Sequence, residues 1–435
     1  MSILHLLFLA PALLPAQTQT TLTLEGSFIL PTEDSSINYN SGPLHDPITR
    51  LQQRLASGEA KLTYDSKHGW LESFLRELKV PVTSQMLVFS KTSLQINRIA
   101  PDTPRAIYFG DDIYVGWVQD GDVVEVSSVD PEKGAIFYSL NQRDAGKPVF
   151  TRRDECLQCH ASPKTLGVPG HLVRSVYTGP DGFPLFQAGG FHTDDRSPFE
   201  ERWGGWYVSG THGSARHMGN VFALDRDHPE KLEVEKGANI TNLKKLVNTE
   251  PYLSPYSEIV GLLVLEHQAR MHNLITRVNY ETRMALSQQD GMNKALGRPM
   301  TEWSDSTRRR IYGSAEVLLQ YMLFTEESQL KAPVKGPTTF AVDFMKHGPK
   351  DSKGRSLRDL DLKTRIFRNR CSFIIYSDAF DALPKPALEY LYKRLYEVLT
   401  GKDQSKKFAA LDAAERASIL QILRETKKGL PDYWR

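Results

Sequence analysis

Hydrophobic residues change their spacing twice along the chain. At 48–58 and 68–78 they recur every three to four positions, as in Trp70, Phe74 and Leu78, which predicts two short amphipathic helices. From residue 86 the rhythm becomes short bursts of Val, Ile, Tyr and Phe at 86–89, 106–110, 112–118, 123–129 and 135–140, punctuated by Asp-Gly and Lys-Gly turns. Those bursts predict an antiparallel sheet. Residues 172–177 and 183–188 flank Thr178-Gly179-Pro180-Asp181-Gly182, a turn sequence expected to fold the two segments into a hairpin. Beyond about residue 255 the period is helical, over 257–286, 306–326, 386–400 and 413–427. The expected fold class is therefore α+β: a β-rich part over 17–250, then a mostly helical part over 251–435, with the change falling within 225–255. The Pro/Gly/Lys-rich stretch 331–354 reads as a surface loop in which 338–344 has the composition to order.

Residues 3–14 form an uncharged apolar run with small Ala16 shortly after it, which predicts a signal peptide over 1–16 and a periplasmic or secreted bacterial protein. The leader departs from the usual pattern in one respect, since His5 stands where Lys or Arg is normal. No later stretch reaches the roughly eighteen apolar residues of a spanning helix, so the mature chain is expected to have no membrane span. The balance of 54 Lys+Arg against 52 Asp+Glu leaves no single-sign field, which excludes a polybasic nucleic-acid binder.

Of three cysteines in 435 residues, two fall in Glu155-Cys156-Leu157-Gln158-Cys159-His160. A porphyrin with two vinyl groups needs two thiols at fixed separation and an adjacent imidazole for the iron, and C-x-x-C-H supplies all three. The run resembles the attachment motif of c-type cytochromes. That resemblance implies one covalent haem c, with Cys156 and Cys159 as thioether cysteines and His160 as proximal iron ligand. It is confined to five residues and implies nothing about a compact cytochrome fold. The segments Glu201-Arg202-Trp203-Gly204-Gly205-Trp206 and His217-Met218-Gly219-Asn220 are similar to those of large bacterial secreted proteins with one such motif, a likeness that implies no activity. A zinc site competes, but needs four ligands where the only other thiol is the distant Cys371, which reads as a buried structural cysteine. A thioredoxin-like pair competes less well, because its C-x-x-C opens a helix after a strand.

The sixth iron ligand decides the function. The stretch 203–220 is dense in Trp, Gly and His, suiting the face of a flat macrocycle, and makes His217 or Met218 the first choice. Neighbouring residues on a strand point oppositely, so only one of them should serve. His267 interrupts the apolar stripe Val260, Leu263, Met271, Leu274 and Val278, and His267 or Met271 is the alternative. Two protein ligands imply electron transfer to a redox partner protein that the sequence does not identify. An open iron would imply a redox enzyme acting on peroxide or a small nitrogen or sulfur compound, with Glu266, His267, Arg270 or His272 as distal acid/base groups. A third reading makes the haem a staple or sensor in a binding protein. Arg174, Arg202 and Arg216 are candidate propionate partners, with ordinary ion pairs as the competing explanation.

Overall fold

A computed structural model describes residues 28–435; the leader expected at 1–16 lies outside the described residues. Two short helices open the chain, α1 (Pro47–Ser57) and α2 (Leu71–Glu77). Asp46 starts α1 by accepting the N–H groups of Ile48 and Thr49 at 2.9 and 3.4 Å, and Gly58 ends it at φ +81°. The expected bursts then form β1 (Met86–Val88), β2 (Arg105–Phe109), β3 (Ile113–Trp117), β4 (Val123–Asp130) and β5 (Gly134–Asn141). Two strands too short to show a period extend the sheet at its ends, β6 (Phe150–Arg152) and, after the two-stranded ribbon β7 (Arg174–Val176) and β8 (Gly190–His192), β9 (Trp206–Tyr207). The order β6-β5-β4-β3-β2-β1-β9 is antiparallel throughout.

The turn at 178–182 forms as expected, with Gly179 N–H on Phe183 C=O at 3.0 Å and Leu185 N–H on Tyr177 C=O at 2.8 Å. The strand pairing differs. Residues 186–188 coil into a 3-10 turn ended by Gly189 at φ +81°, so β7 pairs with 190–192 instead of 183–188.

Strand alternation gives the seven-stranded sheet two unlike faces. Ala106, Tyr108, Val115, Trp117, Val124, Val126, Ile136, Tyr138 and Leu140 form one core with α1 and α2. The opposite face carries Phe109, Tyr114 and Val129 at one end, within a second core that includes α4 (Ile259–Leu296), α5 (Asp305–Met322), α6 (Phe340–Lys346), α8 (Lys385–Leu399) and α9 (Ala413–Thr426). The short α3 (Leu157–His160) and α7 (Asp378–Asp381) complete the set. The helical regions foreseen in the second half therefore form, and α6 orders part of the 331–354 stretch. Helix α4 runs ten residues beyond its expected end at 286. Its polar end is held by Gln289 on Asn293 at 2.8 Å and Asn293 on the carbonyls of Pro299 and Glu302, before Gly297 stops it at φ +61°.

Buried polar bonds tie the β-rich part to α4. Arg202, 2% exposed, is ion-paired with the fully buried Glu266 and also reaches the Ser197 and Asp195 carbonyls at 2.7 and 3.2 Å. Removing one partner strands a buried charge. Arg202→Met is expected to cost about 3–5 kcal/mol in urea unfolding, whereas Arg202→Met with Glu266→Leu should recover most of it.

Candidate functional site

The cysteine segment follows the β5–β6 hairpin. Arg153 N–H bonds Phe137 C=O at 2.8 Å, after which Asp154–Cys156 form a 3-10 turn that runs into α3. Asp154 and Glu155 sit in the first turn, where carboxylates suit the helix dipole. Strand β6 leads into the motif and the motif itself opens a helix, which, contrary to expectation, is the local arrangement a thioredoxin-like pair needs. Ser162 and Pro163 then divert the chain into a second 3-10 turn, Pro163–Thr165, closed by a capping box between Ser162 and Thr165. The buried Thr165 hydroxyl lies 2.8–3.2 Å from the carbonyls of His160, Ser162 and Val168.

His160 and Gly170 clamp each other. Gly170 N–H donates to His160 C=O at 2.8 Å, and the His160 ring places Nδ1 3.0 Å from Gly170 C=O. A carbonyl only accepts, so Nδ1 carries the proton and Nε2 keeps its lone pair. No protein group bonds Nε2 among the described residues. Burial lowers the pKa of the half-buried imidazole, and Phe137 packs against it at 4.8 Å. Cys156 is half-buried and Cys159 exposed; both are free thiols, with Cys156 pushed up to about 11 by burial and then by Glu155 and Glu125. Gly170 has to be glycine, because a Cβ there would lie 2.3 Å from Asn273 Oδ1. That close approach lets Asn273 of α4 hold both the N–H and the C=O of His171 at 2.7 Å.

The sheet face beside this turn carries Glu125 and Arg105. Glu125 acts electrostatically on both Cys156 and His160, and Arg105 acts on His160. Glu125 bonds Arg105 at 2.8 Å and receives Ser93 and Gln95 at 3.2 Å. Its cross-strand neighbours are Gly116 and Ser139. Gly116 does not have a left-handed φ, and a Cβ there would make contacts of 3.4 Å or more, so backbone and neighbours both tolerate a side chain. The nearest of those contacts are to the Arg105 and Glu125 side chains, which pack over the glycine. A groove runs past Val123, Ser139, Val149, Thr151 and Arg153, with Val149 49% exposed on its border.

The other nominated residues lie elsewhere. His217 is buried among Trp203, His212 and Phe199 at ring distances of 5.1, 4.7 and 6.0 Å, and its Nδ1 accepts Gly219 N–H at 3.0 Å. Met218 Sδ accepts from Ser175 at 3.5 Å. His267 stacks between Tyr321 and Phe324 with Nδ1 3.2 Å from Asp195 and Nε2 2.8 Å from Ser372. Met271 is core, Glu266 is paired with Arg202, and Arg270 pairs with Asp194 at 3.2 Å. No hydrogen bond, ion pair or ring contact joins His217, Met218, His267 or Met271 to the cysteine turn among the described residues. His272 stands behind the turn, bonded through Nε2 to Asp111 C=O at 2.9 Å and near His171. Of the three arginines, Arg202 is committed to Glu266, Arg216 to Glu235 at 2.7 Å, and Arg174 lies over Phe186. Cys371 is buried, as expected. The group Asp65, His68 and Glu72 gathers three ligand atoms within 4.8 Å and contains neither motif cysteine.

Thr165, Gly170 and the Glu125–Arg105 pair were not anticipated from sequence. Only Gly116, a glycine inside an apolar strand burst, carried a readable signal. No helix among the described residues is long and apolar enough to cross a membrane. No protein-family model, curated protein or solved structure matches the chain.

Burial, then His212 and Arg216, holds the His217 imidazole down to about 3 against an ordinary 6.5. The unfolded chain takes up that proton first as pH falls. Folding stability is therefore full above 6.5 and is lost from about 6.5 toward 3, by up to about 1.4 kcal/mol per pH unit for this one group. Urea unfolding at stepped pH should show at least that slope, with His192 and His272, both held down to about 4, adding to it, and His217→Phe should remove only this one group's share.

Proposed function

We propose that the chain is an extracytoplasmic haem c protein that passes single electrons, with Cys156 and Cys159 as its thioether cysteines and His160 as proximal ligand. One observation carries the reading. The His160 ring is oriented by its Nδ1–H bond to Gly170 C=O, which leaves Nε2 unprotonated and unpartnered one residue from a free thiol and four from another. A bound haem c would supply a reversible one-electron couple. The chain's own residues do the rest: Thr165 and Gly170 fix the turn, Asn273 ties it to α4, and Glu125, held by Arg105, places fixed charge beside it. Zinc at the cysteine pair has less support, because Cys371 is buried away from it and the Asp65, His68, Glu72 group includes neither thiol.

Mass spectrometry of the exported chain, co-expressed with a haem-maturation system, tests this. The expected mass is that of the processed polypeptide plus one haem, with Cys156 and Cys159 resistant to alkylation. A bare polypeptide mass with two alkylatable thiols there rejects the reading.

A second reading, an open sixth position suited to a small ligand, is favoured by the commitments of His217, Met218, His267 and Met271 to partners away from the turn. Cyanide titration of the ferric protein separates the two. Slow or absent binding with a low-spin spectrum supports the carrier; immediate binding to a high-spin haem supports the open site. In either case His217→Ala and Met218→Leu are expected to leave the haem spectrum unchanged.

A further inference from the structure

Behind the cysteine turn, three fully enclosed polar atoms have no hydrogen-bond partner: His171 Nδ1, His272 Nδ1 and Gln268 Oε1. The residues are 7%, 2% and 0% exposed. In each the far end of the side chain is anchored. His272 Nε2 meets Asp111 C=O at 2.9 Å, and Gln268 Nε2 meets the Gly110 and Asp111 carbonyls at 2.8 and 3.0 Å. Carbonyls only accept, so both of those nitrogens donate, which leaves His272 Nδ1 as a bare lone pair and Gln268 Oε1 as an acceptor. His171 Nε2 is 2.8 Å from Ser127 Oγ; if it donates there, its Nδ1 is bare as well.

The three groups adjoin. Gln268 and His272 are one turn apart on α4 and share the Asp111 carbonyl. The His171 and His272 rings lie 5.9 Å apart, and Tyr114 packs at 4.2 Å on His171 while its hydroxyl accepts from Gln268 at 3.0 Å. Two imidazoles on one ion, with metal–nitrogen distances of about 2.1 Å, place their ring centres roughly 5–6 Å apart. A lone water offers only two protons to such a set, whereas a cation satisfies every lone pair at once.

We infer that His171, His272 and Gln268 form a buried site for a single first-row divalent cation of the zinc type. Anchoring the far nitrogen of a ligating histidine on a carbonyl or hydroxyl is the usual outer-shell arrangement of such sites. Two nitrogens and one oxygen would leave a fourth position for water. Enclosure means the ion enters as the chain folds. The site is independent of the haem reading, because none of its ligands belongs to the C-x-x-C-H run.

The test is metal analysis of the full haem-loaded chain produced with zinc in the medium. The expected result is about one zinc per chain beyond the haem iron, falling at least about tenfold in His171→Gln and His272→Gln but not in His212→Gln. Zinc-edge X-ray absorption of the unmodified protein supplies a reading that does not depend on the variants folding: two imidazoles with oxygen and no sulfur are expected. Less than about 0.1 zinc per chain overturns the inference. So does sulfur ligation, which puts the ion on the cysteines, or a single imidazole, which puts it at Asp65, His68 and Glu72. The haem mass is measured on the same samples, so failure of one reading is distinguishable from failure of the other.

Discussion

A helix buried along most of its length needs partners for the polar side chains it carries, and α4 carries many. Unpartnered, each would cost roughly 1–3 kcal/mol, and more if charged. The partners it recruits come from across the chain: Glu266 takes Arg202, His267 takes Asp195 and Ser372, Gln268 and His272 take the 110–111 carbonyls, Asn273 takes the backbone of His171, and Arg277 takes Leu166 C=O. These bonds fix the β7–β9 region, the β2–β3 turn and the cysteine segment against one axis. The cysteine turn is placed by this requirement more than by its own residues, because a four-residue helix has little stability of its own.

The regular parts of the fold were legible because burial is written as period. Strands β1 to β5 and the starts of α4, α5, α8 and α9 lie within a few residues of where the apolar rhythm puts them. Elements held by something other than a buried face were not legible. Strands β6 and β9 are too short to show alternation, the last turns of α4 rest on amide bonds from Gln289 and Asn293, and the partner of β7 is set by a 3-10 turn at 186–188.

At the candidate site, C-x-x-C-H could be found because its chemistry lies in adjacent residues. What orients it could not, since Gly170 matters only through an Asn273 over a hundred positions away. The attraction of His217 from sequence came from a Trp- and Gly-rich neighbourhood. In the fold those residues pack on one another: Trp203, Phe199 and His212 surround His217, while Gly219 supplies its hydrogen bond. Aromatic density marks a flat-sided pocket without saying whether rings of the protein or of a ligand fill it.

The strand order has a kinetic side. Strands β2 to β6 form a meander whose pairs are close in sequence, whereas β9 pairs with β1 across more than a hundred residues. Local pairings close quickly and distant ones late. The cysteine turn hangs from β6, in the early meander, yet is locked only when α4 arrives with Asn273. A nascent chain emerging from the N-terminus thus passes through a stage in which the meander has formed and the two thiols still stand on an unanchored turn. In that interval, and far less once α4 has docked, both cysteines and the imidazole sit on a turn that nothing outside their own segment restrains.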